Sequence, residues 1–94
     1  MPTKQSLKNI RYRERKERMV MAMGGTCQLC GFDGPDCCYD FHHRDPMSKL
    51  YTIGECMTSL SDDRFETDAV HEIETKCILL CSNCHRKVHW DHGC

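Results

Sequence analysis

Two cysteine pairs and four histidines are the residues here whose types and spacing could do chemistry. Cys27 and Cys30 lie in "TCQLCGF", and Cys81 and Cys84 in "CILLCSNCHRKVHW". Thiolates three positions apart can hold one soft cation, and a second such pair completes a tetrahedral cage closed to water. That donor set predicts a structural Zn²⁺. Gly31 follows Cys30 directly, which frees the backbone to curl so that its amides face the sulfurs. The remaining cysteines, Cys37, Cys38, Cys56, Cys77 and Cys94, have no partner at ligand spacing. Cys56 and Cys77 read as small buried residues and Cys94 as a bystander.

The histidines form a second set. His85 follows Cys84 at once and His89 comes four residues later, so a helix opening at Cys84 puts both imidazoles on one face. His42 and His43 end an apolar run, "YDFHH". Neighbours on a strand point to opposite faces, so one can ligate an ion while the other faces a reacting group. Any one of these histidines alone would be an ordinary surface residue. Together they suggest three imidazole ligands plus a free imidazole, a hydrolytic layout with coordination positions open to a phosphate oxygen. It requires all four rings to converge near one point.

The elements that must position these groups follow from the pattern. A helix is expected from about Ser6 to Met23, with Leu7, Ile10, Met19, Val20 and Met23 as its apolar positions and Gly24-Gly25 as its stop. "CCYDFHH" predicts a short strand and "RDPMSKLYTIGE" a loop. A helix capped by Ser61 should bury Phe65, Ala69, Val70, Ile73 and Cys77. "CILLC" predicts a buried strand and "SNCHRKVHWD" the last helix. No repeat or linker divides the chain, so residues 1–94 are expected to be one domain, with a basic helical arm over 1–24 and a zinc-stabilised core over 26–92. At 94 residues a metal is a common supplement to a small core.

The net charge of −1 conceals segregation: residues 1–18 carry seven basic groups against Glu14 and Glu17, and residues 55–74 carry seven acids against Arg64. A basic arm could track a polyphosphate backbone through counterion release, although a charge run by itself is more often a solvated helix face. Nine cysteines, an odd number, with neither a secretory leader nor a membrane-length apolar run, predict an intracellular protein: cytoplasmic, or in a host cell's cytoplasm for a phage-borne chain. A redox switch built on the C-x-x-C pairs has no thioredoxin-like pattern around it.

Taken in order, "CQLCG", "YDFHHRDPMSK" and "CILLCSNCHRKVH" resemble the HNH endonucleases, the ββα-metal nucleases, in their zinc-stabilised form. The resemblance runs from about Thr26 to His89. It implies a small α+β domain with a treble-clef-like ββα-metal core, here preceded by a basic helix and carrying an extra helix before the second core strand. By position, it implies that His43 is the general base and that His42, His85 and His89 hold one divalent ion, Mg²⁺ or Mn²⁺ before other transition metals. The implied activity is hydrolysis of DNA phosphodiester bonds. Arg11, Arg13, Arg15, Lys16 and Arg18 would lie along a duplex backbone, with Arg44, Arg86 and Lys87 nearer the cut. Without a base-reading motif, selectivity would be weak or come from a protein targeting partner. The family's central Asn stands nine residues before its last histidine, and Lys76 occupies that place. Lys76 would either reach a backbone carbonyl to hold the loop or contact phosphate. The rival expectation is a non-catalytic treble-clef-like zinc module that binds nucleic acid or protein.

Overall fold

A computed structural model describes residues 4–91, and Cys94 lies outside them. Helix α1 (Lys4–Ala22) buries Arg15, Lys16, Met19 and Val20 along one face, while Leu7 and Ile10 are half exposed. Its end is closed by two amide bonds, from Gly24 to the Met21 carbonyl (3.1 Å) and from Gly25 to the Val20 carbonyl (2.9 Å). Gly24 has a φ of 102° and Gly25 of 74°. A side chain at either would strain this left-handed cap.

Strand β1 (Tyr39–His43) pairs antiparallel with β2 (Cys77–Cys81), with Tyr39 opposite Cys81 and His43 opposite Cys77. This two-stranded sheet makes the chain a small α+β domain. Cys37 and Cys38, expected on the strand, form a 3₁₀ turn (Asp36–Cys38) ahead of it. Tyr39 is fully buried; its hydroxyl lies 3.0 Å from both the Gly25 and Phe32 carbonyls and accepts from the Gly34 amide at 2.8 Å. One side chain thereby satisfies the loop that carries the first cysteine pair.

Between the strands, the segment expected to be loop holds a 3₁₀ turn (Pro46–Ser48) capped by Asp45, and its end runs into a π-type turn (Glu55–Ser59). Ser61 caps the next helix as expected, accepting from the Arg64 amide. That helix is α2 (Asp62–Arg64), a π-type stretch (Phe65–Ala69) and α3 (Val70–Lys76) in succession. Phe65, Ala69, Ile73 and Cys77 enter the core with Met19, Met57, Leu79 and Leu80, and Val70 packs at its edge. Cys56 and Cys77 are buried as expected, and burial pushes their thiols up to about 11 and about 12. Helix α4 (Ser82–Asp91) follows β2 without a linker. Among the described residues, no helix is long and apolar enough to cross a membrane.

Helix α1 is docked rather than free. Arg15, expected on a nucleic-acid surface, is 5% exposed. Its guanidinium donates to the carbonyls of Cys56 (3.0 Å) and Leu60 (2.7 Å), meets Asp62 at 3.1 Å and lies 4.6 Å over the Phe65 ring. The carbonyls matter most, because Asp62 is largely exposed and a solvated partner contributes little. Arg15→Met keeps the apolar stem but leaves two buried acceptors without a donor. We expect a loss of about 2–4 kcal/mol in denaturant unfolding; an unchanged midpoint would show that water replaces the guanidinium at no cost.

Candidate metal centre

Both cysteine pairs reach one point. Cys27 and Cys30 sit in a turn closed by Gly31, whose amide donates to the Cys27 carbonyl at 2.9 Å and whose φ is 78°. Cys81 ends β2 and Cys84 lies in the first turn of α4. The four Sγ atoms lie within 4.8 Å of one another. Cys30 and Cys81 are 3.8 Å apart, about the edge of a tetrahedron with Zn–S bonds of ~2.3 Å. The donor set and spacing fit Zn²⁺, which this cluster could hold.

Gln28, not anticipated from sequence, docks the first pair on the sheet: its amide donates to the Leu79 carbonyl (2.9 Å) and its side-chain oxygen accepts from the Leu79 amide (3.0 Å). Burial works to raise the Cys27 thiol, yet hydrogen bonds from the backbone of Cys81, Cys30 and Leu29 outweigh it and bring the group down to about 6. Cys84 goes the other way, to about 12, because its bonds with the Cys30 and Cys81 thiols favour keeping the proton. Crowded sulfurs resist ionising together, and a bound cation is what would remove that resistance.

Three of the four histidines converge. His42 on β1 and His85 and His89 on α4 place their ring nitrogens within 4.8 Å of one another. Their ring centroids are 4.5–5.2 Å apart, and the two Nε2 atoms of His85 and His89 are separated by 2.9 Å. All three rings are half-buried, so the group is reachable from solvent. Asp40, two residues before His42 on the same face of β1, places Oδ2 3.2 Å from His85 Nδ1. That contact favours the tautomer whose free Nε2 faces the other two rings. Strand alternation would have revealed Asp40, since its side chain must share the face of His42.

His43 departs from the expected convergence. The alternation that turns His42 toward α4 turns His43 inward, where it is 8% exposed and its Nε2 lies 2.9 Å from Glu72 Oε2. Far from being free, it belongs to a buried network. Glu72, 1% exposed, also accepts from the Leu50 amide (3.1 Å) and pairs with Lys76 Nζ (3.0 Å). Lys76 in turn donates to the Ser48 carbonyl at 2.7 Å, the first of its two expected roles: it braces the loop.

Burial opposes the charge on Glu72, but Lys76, His43 and the Leu50 amide hold its carboxyl below the usual range. A depressed folded value means the network stabilises the fold above the unfolded carboxylate value of ~4.3, and this contribution is lost as pH falls through the folded value. Acid unfolding of wild type should therefore be steeper below about pH 4.3 than that of Glu72→Gln; parallel acid limbs would mean Glu72 is not ionised in the fold.

The basic residues are not brought into one stripe. Lys16 is buried beside Tyr12, and Arg18 makes a two-pronged pair with Glu66, 2.7 Å at its longer contact. Arg11 donates to the Thr58 carbonyl at 3.2 Å, and Arg44 to the Thr75 carbonyl. Arg13, Arg86 and Lys87 are exposed. Part of the charge segregation is matched internally, because α1 meets the acidic segment between the strands through Arg15 with Asp62 and Arg18 with Glu66. The expectation of a free arm along a duplex is corrected for Arg15 and Lys16 by burial, whereas Arg18 stays half exposed in its pair with Glu66. Comparison of the chain with protein-family models, curated proteins and solved structures gave no match.

Proposed function

We propose that this protein is a metal-dependent endonuclease of the HNH, ββα-metal kind, acting on double-stranded DNA. The observation that carries the reading is the convergence of His42, His85 and His89 beside a separate four-cysteine cluster, with α4 contributing to both groups. A soft, closed sulfur cage suits a scaffold ion, whereas three imidazoles leave positions for water and substrate. Helix α4 thereby ties a rigid site to a reactive one.

Because His43 faces the core and not the imidazole group, it can serve as base only where substrate reaches its ring across β1. In that arrangement it takes a proton from water, the hydroxide attacks phosphorus, and the bond to the 3′ oxygen breaks as that oxygen takes a proton from solvent. His42, His85 and His89 would hold a divalent ion, which when bound supplies Lewis-acid stabilisation of charge on the phosphate. Mg²⁺ or Mn²⁺ remain candidates from the resemblance, but an all-imidazole set suits Co²⁺, Ni²⁺ or Zn²⁺ better than Mg²⁺. Arg86 and Lys87 are exposed on the same helix as His85 and His89 and would add a sequence-independent attraction to backbone phosphates.

A second reading, a non-catalytic zinc module, draws support from the burial of His43 and from the internal pairing of α1. Incubation with supercoiled plasmid separates the two. Nicking that requires an added divalent ion, stops with EDTA and stops in His43→Ala selects the nuclease; intact plasmid with tight binding selects the module.

A further inference from the structure

We infer that Glu72 is a positioning residue for His43, fixing which of its ring nitrogens is left to receive a proton. The inference rests on the nuclease reading for its consequence, but its geometry stands apart from it. Both side chains are buried, 7% exposed for His43 and 2% for Glu72, and Nε2 and Oε2 are 2.9 Å apart. The same Oε2 accepts from the Leu50 amide, while Oε1 faces Lys76 Nζ. An ionised carboxylate only accepts hydrogen bonds, so the proton in the contact sits on His43 Nε2. The neutral ring must then carry its lone pair on Nδ1.

The carboxylate holds such a ring in one tautomer and one orientation. This is the logic by which a buried acid serves the histidine of a hydrolytic triad. A brace alone would not need it, because Lys76 already reaches the Ser48 carbonyl, and a buried charge is costly unless well compensated. Glu72 comes from α3, in the segment between the strands, so that segment would contribute to the chemistry as well as to the core.

Glu72→Gln tests this with two readouts. With one end of the amide taken by Lys76, its NH₂ group would face His43 Nε2 and favour the opposite tautomer. In ¹⁵N spectra of zinc-loaded protein, neutral His43 should carry its proton on Nε2 in wild type and shift toward Nδ1–H in the variant. The variant's kcat for nicking should fall roughly 100-fold, part of the ~10²–10⁴-fold that a general base contributes, with KM and zinc content unchanged. If Glu72→Gln fails to fold, Glu72→Met with Lys76→Met removes the acceptor and the ammonium together, so the preference of His43 for Nε2–H should be lost and kcat should fall by a similar factor. An Nδ1–H ring in wild type, or a folded variant with wild-type tautomer and kcat, overturns the role of Glu72. A wild type showing the expected tautomer without nicking supports the positioning contact and sinks the nuclease reading instead.

Discussion

Replacing His43 with Ala is expected to lower the rate of plasmid nicking at least about 100-fold, the low end of what a general base supplies, while the fold and one tightly held zinc persist. The network around His43 is the reason the two effects should separate. Glu72 keeps the Leu50 amide and Lys76 after the imidazole is removed, so its carboxylate is not left unpaired. The cavity left by the ring and one lost hydrogen bond should cost about 1–3 kcal/mol, which a zinc-loaded domain can absorb. Nicking would be followed at matched zinc content with a circular dichroism spectrum of each protein. Undiminished cleavage by a folded His43→Ala protein would remove this residue from the mechanism.

The larger effect on the fold is expected from Cys81→Ser. Cys81 is 6% exposed, ends β2, and receives the Cys84 amide on its sulfur at 3.5 Å. Its loss takes one thiolate from a cluster joining residues on either side of the whole intervening segment. Structural zinc contributes an apparent ~10–16 kcal/mol in small domains, comparable to or above the ~5–15 kcal/mol net stability of a typical fold. The variant should bind zinc weakly and be largely unfolded at room temperature, as should wild type stripped by a strong chelator. Cys38→Ser is the control: Cys38 stands outside the cluster and should leave zinc content and melting unchanged. A Cys81→Ser protein that melts like wild type would mean the apolar core suffices without metal.

Much of the architecture was legible because short-range rules decide it. The 77–81 run is apolar and short enough for a buried strand, and the histidines four apart fall on one face of α4. Both cysteine pairs declare themselves by spacing. Arg15 and Glu72 were not legible, for a shared reason. Each is a charged residue in a helical stretch, where local pattern assigns it to solvent. What buries Arg15 is a pair of carbonyls, Cys56 and Leu60, at the ends of a π-type turn that no periodicity announces. What buries Glu72 is the conjunction of Lys76, the Leu50 amide and His43, residues that meet only once the segment folds back over β1. The same folding explains why the basic arm read as a nucleic-acid surface: its acidic counterpart lies more than forty residues away in sequence, as in the 48-residue separation of Arg18 and Glu66.

The claim on which the rest depends is that one chain carries two distinct ion sites, one of sulfur and one of imidazole. Cobalt titration into metal-free protein, refolded as the ion is added, measures this directly, because thiolate and imidazole sites differ in their visible spectra. Two equivalents should bind, the first with a tetrathiolate spectrum and the second without sulfur character, and His85→Ala should lose only the second. Binding of a single equivalent, or a first site whose spectrum includes an imidazole ligand and changes in His85→Ala, would contradict the account.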